Sequence, residues 1–93
     1  MSTINEEFFN SLEKKLNESV EWPSVYMFKF IVPSDNRKIA MVEALFSPET
    51  EIKTKESRGG KYISITGKVV MLSAFEVIKK YKKAAEIEGL IAL

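Results

Sequence analysis

The residues with chemical potential in this chain are few, and the first is Lys29, a cation set in the middle of the apolar run at positions 25–32. A lysine desolvated by such neighbours acquires a lowered pKa and can act as an amine nucleophile or base. A lysine whose stem lies along a sheet while its head reaches water or a carboxylate is structural, and that is the expectation for Lys29. A second set follows: Lys53, Lys55, Ser57, Arg58, Gly60, Tyr62 and Ser64 gather cations and hydroxyls around a glycine turn. Such a set can contact a ligand, a protein partner or a phosphate backbone. The paired carboxylates, Glu6 with Glu7 and Glu86 with Glu88, fall at helix ends, where capping and solubility account for them.

What is missing narrows the chemistry further. The chain has no cysteine and no histidine, which removes thiol nucleophiles, disulfides, Cys/His zinc sites and every acid–base scheme that needs an imidazole. No catalytic residue, metal or cofactor is therefore expected. The start of the chain is acidic and lacks a basic segment followed by an apolar run, and no stretch approaches the roughly 20 apolar residues that span a bilayer. A cytoplasmic protein without membrane contact is the expectation. Net charge is +1, but residues 1–46 hold five Lys/Arg against seven Asp/Glu while residues 47–93 hold nine against six. The hairpin and the last helix are thus the basic part, and a solvated surface is the simplest account of it.

The elements that must position these residues can be read from periodicity. A composition of 45% hydrophobic and 29% charged residues over 93 positions fits one globular core without metal or disulfide staples. Thr3 with Glu6 forms a capping-box pattern, and Phe8, Phe9, Leu12 and Leu16 recur at helical spacing, predicting an amphipathic helix over 3–18. Trp22-Pro23 ends that region, because proline lacks the amide hydrogen a helix needs and pushes its predecessor out of the α region. Residues 25–32 then alternate as a strand, with Tyr26, Phe28 and Phe30 on the core side and Val25, Met27, Lys29 and Ile31 opposite. The second face is largely apolar too, so it is expected to be at least partly covered, by the first helix or by a second subunit. Self-packing is the favoured answer for the apolar stripe of the helix.

A helix carrying Ile39, Val42, Leu45 and Phe46 is capped at Ser34-Asp35 and closed by Ser47-Pro48. Residues 51–57 alternate with little apolar content, as suits a charged edge strand. The turn Ser57-Arg58-Gly59-Gly60-Lys61-Tyr62 joins it to residues 62–71, whose Ile63, Ile65, Gly67, Val69 and Met71 face the core. Ser73 and Glu76 form a second capping box, followed by Val77, Ile78, Tyr81, Ala84 and Ala85; Lys79, Lys80, Lys82 and Lys83 fall off that stripe onto a solvated face. Gly89 is expected to stop the helix, leaving residues 90–93 as a last strand. Strand, helix, hairpin, helix, strand with right-handed crossovers gives an α+β fold, a ferredoxin-like βαββαβ sandwich with an antiparallel sheet in strand order 4-1-3-2 and an extra N-terminal helix. The chain divides accordingly into a helix over 1–21 and the ferredoxin-like domain over 22–93.

Two motifs carry a resemblance. Trp22-Pro23-Ser24-Val25-Tyr26-Met27-Phe28-Lys29-Phe30 resembles the aromatic-Pro-x-x-aromatic-x-x-Lys opening of the YbeD-like family, small bacterial proteins of unknown function. Glu56-Ser57-Arg58-Gly59-Gly60-Lys61-Tyr62-Ile63-Ser64-Ile65-Thr66 is similar to that family's Ser-Ser-x-Gly-x-Tyr-x-Ser-hydrophobic-Ser/Thr hairpin, with Arg58 where a second serine is frequent and Gly59 where a basic residue is frequent. The resemblance spans about residues 20–93. It implies an ACT-like version of the ferredoxin-like fold, similar to regulatory domains that bind small metabolites, and the family carries a provisional label as lipoic acid-binding regulatory proteins. The loop at 32–36 lacks the glycine with which amino-acid-binding ACT domains admit their ligand.

The sequence reading therefore points to a non-enzymatic regulatory or binding domain acting through its sheet face or its hairpin, with a homodimer, a small-molecule effector or a protein partner as the expected associations. The alternative is a single-stranded RNA-binding module using the basic hairpin: Arg58-Gly59 and Tyr62 lie where an RNA-recognition module keeps its Arg-Gly-aromatic signature. Gly60 and Ile65 stand where stacking aromatics belong, and each missing stack forfeits roughly 1 to 3 kcal/mol, so nucleic acid is the weaker partner. A lysine-based enzyme acting through Lys29 ranks last.

Overall fold

The computed structural model describes residues 5–93. Three helices and four strands follow in the order α1 (Glu6–Ser19), β1 (Ser24–Pro33), α2 (Asn36–Glu43), β2 (Glu51–Glu56), β3 (Tyr62–Met71), α3 (Ala74–Ala84) and β4 (Ile91–Ala92). The four strands make one open antiparallel sheet in the order β2-β3-β1-β4. That is the expected order read from the opposite edge, and it is compatible with a ferredoxin-like sandwich.

Side-chain chemistry explains where each helix begins. The Asn5 side chain accepts from the Phe8 amide, that of Asp35 from the Arg37 amide, and that of Ser73 from the Glu76 amide, each satisfying a donor with no partner inside the helix. The Ser73 cap agrees with the sequence pattern. For α1 the cap falls at Asn5, and the Thr3 position expected to serve lies outside the described residues. α3 ends at Ala84 rather than running on to Gly89; Ala85 still bonds back to the helix, and the chain then turns through residues 86–88 to Gly89, whose φ of +83° suits a residue without a Cβ.

The core lies between the sheet and the helices. Phe28, Phe30 and Val32 of β1, Ile65 of β3, Val42 of α2, Val77 of α3 and Leu90 are fully buried, which agrees with the period-two alternation of the strands. Phe28 and Phe30 meet the rings of Phe46 and Tyr81, with centroids between 5.3 and 6.2 Å apart. β3 is anchored by its alternation as well: Ile65, Gly67 and Met71 face inwards while Lys68 and Val70 face out.

α1 corrects one expectation. Phe9 and Leu16 join the same core, and Phe8 meets the Tyr81 ring edge-on at 5.3 Å. The helix packs on α3, in the helical layer, because α3 offers it an aromatic partner. It does not cross the far side of β1. That face is open: Val25 is 57% and Met27 61% exposed, and Lys29 stands exposed between Met27 and Ile31. Among the described residues no helix is long and apolar enough to cross a membrane.

Candidate functional site

The open sheet face is a grid whose rows follow from strand pairing. Lys53 of β2, Thr66 of β3 and Lys29 of β1 lie side by side in one row; Lys55, Ser64, Ile31 and Ile91 form the next. Tyr62 pairs with Pro33 at the row beyond, next to the hairpin turn. Directly opposed residues on neighbouring strands share a face, so these side chains project together.

The turn that closes this end is held by Ser57. Its amide donates to the Tyr62 carbonyl (2.8 Å), its carbonyl accepts from the Gly60 amide (2.9 Å), and its hydroxyl accepts from the Tyr62 amide (3.0 Å). The hydroxyl keeps its own hydrogen for another acceptor. Gly59 and Gly60 take φ values of +87° and +69°, conformations that side-chain-bearing residues rarely adopt. The Lys61 carbonyl accepts from the Ser34 amide at 2.9 Å, tying the hairpin to the loop after β1.

Below the turn lies a cleft of about 480 Å³ lined by Ile31, Lys55, Glu56, Ser57, Arg58, Tyr62 and Ser64. Five of the eight residues singled out in the sequence are brought together there: Lys55, Ser57, Arg58, Tyr62 and Ser64. Gly60 stands at the turn above them. Lys29 and Lys53 lie one row further in, on the open face but outside the cleft lining. The cleft combines two cations with one carboxylate, two serine hydroxyls, an aliphatic floor at Ile31 and the phenol ring of Tyr62, which is 46% exposed. The Ser64 hydroxyl donates to the Lys55 carbonyl at 3.3 Å, fixing its orientation against β2.

Lys29 is exposed, so the burial on which an amine nucleophile would depend is absent at this position. Tyr62 is the sole aromatic on the open face among the described residues, and Ile65 points into the core with no exposed surface.

Two lining residues were missed. Ile31 shares the outward parity of Lys29 and could have been placed by that alternation. Glu56 closes β2, and its position was legible only once the strand was seen to end there rather than at Ser57. A further correction concerns Lys80. It does not lie on a solvated face: its Nζ donates to the Leu45 carbonyl and sits 5.8 Å and 5.4 Å from the ring centres of Phe28 and Phe46. Burial, and next the charge of Lys83, hold its ammonium below the ordinary lysine range, with Glu76 opposing. Lys82 likewise reaches over Phe9 at 5.6 Å. Among the described residues no cluster of three or more carboxylates forms that could hold a metal.

A family model described as "Protein of unknown function (DUF493)" matches residues 17–93. A "UPF0250 protein" of Shewanella piezotolerans (strain WP3 / JCM 13877) is 32% identical over 82 residues, covering 84% of this chain and 93% of the relative. A second "UPF0250 protein", of Shewanella halifaxensis (strain HAW-EB4), is 29% identical over 82 residues with the same coverage. These matches bear out the resemblance to YbeD-like small proteins of unknown function. No solved structure matches the chain.

Proposed function

The chain belongs to the DUF493 family, proteins of unknown function, and from that footing we propose that it is a non-enzymatic binding domain of regulatory type whose contact site is the hairpin cleft. The observation that carries this reading is the composition of the cleft: Lys55 and Arg58 against the single carboxylate of Glu56, with the Ser57 hydroxyl hydrogen uncommitted and Ile31 and Tyr62 forming an apolar wall. A concave site with few polar groups and an apolar wall suits a small ligand that carries an anionic group beside an apolar portion. The open sheet with helices on one face is compatible with a ferredoxin-like sandwich, the fold of the ACT-like regulatory domains that the sequence resembles, and it supports the same reading.

The test is a titration followed by amide chemical shifts. A panel of small anionic metabolites is added to the labelled protein, and shifts confined to residues 31, 55–58 and 62–64 are expected, with affinity lowered at least tenfold in Arg58→Gln and in Lys55→Gln, the loss of one charge-assisted hydrogen bond being about 1.5–3 kcal/mol. Absence of shifts at the hairpin across the panel, or wild-type affinity in both variants, would sink the reading.

A further inference from the structure

One edge of the central strand β1 is only partly used. β1 is paired with β3 along all ten residues, but β4 covers its other side only at Phe30 and Ile31, with one more bond from the Leu93 amide to the Lys29 carbonyl (3.0 Å). The backbone groups of Lys29 therefore point to the β4 side, and by the two-residue period of a strand those of Val25 and Met27 do as well. On that side residues 24–28 have no neighbouring strand among the described residues. Unpaired strand edges are templates for another strand.

We propose that residues 24–28 form the seam of a symmetric dimer, in which the same five residues of a second copy pair antiparallel about a two-fold axis at Tyr26. The two four-stranded sheets then become one continuous sheet. This seam lies at the end of β1 remote from the hairpin cleft, and it stands independently of what that cleft binds.

Register and charge select a second copy as the occupant. The pleat lets an outward-pointing residue oppose only another outward-pointing residue. Centred on Tyr26, Val25 faces the partner's Met27 and Ser24 faces the partner's Phe28, so the whole free stretch is used and the Leu93 amide is not approached. A centre at Met27 would set the partner's Ser24 against Phe30, which Ala92 already occupies. A centre at Val25 would set Pro23, which has no N–H, against Met27. No charged residue lies within 24–28. The opposite edge is the contrary case: β2 carries Lys53 and Lys55, and self-pairing centred on Lys53 or on Thr54 sets lysine against lysine. Across the proposed seam Val25 of each copy lies beside Met27 of the other, and Val70 on β3 continues the same row, so the apolar side chains of the two open faces join into one stripe.

The native chain has no cysteine, so introduced ones report unambiguously. Val25→Cys and Met27→Cys proteins are prepared separately and oxidised mildly, alone and mixed. Positions 25 and 27 of opposite copies form a direct pair with Cα atoms about 5.5 Å apart, within disulfide reach. Like positions are diagonal neighbours at roughly 7–8 Å, outside it. The expected result is a wild-type dimer by native mass spectrometry and a mixed disulfide that forms several-fold faster than either like disulfide. Val25→Lys combined with Met27→Lys, both on the exposed face, should give a monomer that still unfolds cooperatively. A wild-type protein that sediments as a monomer at its highest soluble concentration overturns the proposal. A dimer in which mixed and like cysteines cross-link equally fast, or which survives the double lysine variant, overturns this seam and leaves the two copies joined elsewhere.

Discussion

The ring of Phe46 occupies the space in which a side chain at Gly67 would begin. A Cβ on Gly67 would lie 2.6 Å from both Cε1 and Cζ of Phe46, closer than any real contact, and Phe46 is itself only 9% exposed and stacked on Phe30. Gly67 is thus a packing requirement in the middle of β3 and not a turn residue. Gly67→Ala should cost about 1–3 kcal/mol, the range for overpacking a close-packed core. The loss should shrink when Phe46→Leu accompanies it, because residues in contact couple. Urea denaturation of both single variants and the double variant measures this; strictly additive losses would remove the steric explanation.

Tyr26 and Tyr81 bring their hydroxyls to 3.0 Å at the boundary between sheet and α3. Burial, and next the hydrogen bond to Tyr26, push the Tyr81 hydroxyl well above the ordinary phenol range. A folded pKa raised above the unfolded one gives stability that is fully present below about pH 10 and lost as pH rises beyond it, since only the unfolded chain then releases the proton. The limiting slope is about 1.4 kcal/mol per pH unit. Tyr81→Phe should cost roughly 1 kcal/mol at neutral pH through the lost hydrogen bond, and it should unfold less steeply than wild type between pH 10 and 11. Parallel alkaline unfolding curves for the two proteins would count against the assignment.

How far the sequence could be read follows from these same residues. The alternation of β1 and β3, the cap at Ser73 and the glycine turn all depend on local rules of period, hydrogen-bonding and backbone freedom, and each was legible. The packing of α1 was not, because an apolar stripe states that a face is buried without stating against what. Phe8 meets Tyr81 across more than seventy positions of chain, and only the assembled helical layer decides that contact. The cleft was half legible. Lys55, Ser57, Arg58, Tyr62 and Ser64 announced themselves by type around a turn, whereas Ile31 enters only through strand pairing. Lys80 failed for a third reason: helical periodicity assigned it to the polar side, but a lysine stem is long enough to lie back over Phe28 and Phe46.

That contrast between neighbouring lysines is measurable. Lys79 is exposed, whereas Lys80 is half-buried and donates to the Leu45 carbonyl. Lys79→Ala should change stability by no more than about 0.5 kcal/mol. Lys80→Ala should cost about 1–2 kcal/mol, combining the stem's packing with the hydrogen bond. Thermal unfolding of the two proteins side by side checks it, and equal effects would return Lys80 to the solvated face.

The β2 edge yields the last expectation. It exposes Lys53 and Lys55 with side chains projecting on the open face, and the ion pair of Lys53 with Glu51 at 3.7 Å is too solvated to add much stability. Their contribution is to keep a second β2 from pairing, because antiparallel self-pairing centred on Lys53, Thr54 or Lys55 sets lysine against lysine. Replacing both residues by threonine, a good strand former, should leave the unfolding midpoint within about 0.5 kcal/mol of wild type. It should also raise self-association, read as a concentration-dependent increase in light scattering. The β1 seam and the β2 edge then respond oppositely: lysines introduced at Val25 and Met27 dissolve an association, while lysines removed from β2 create one. A double-threonine variant that scatters no more than wild type would show that something other than charge protects this edge.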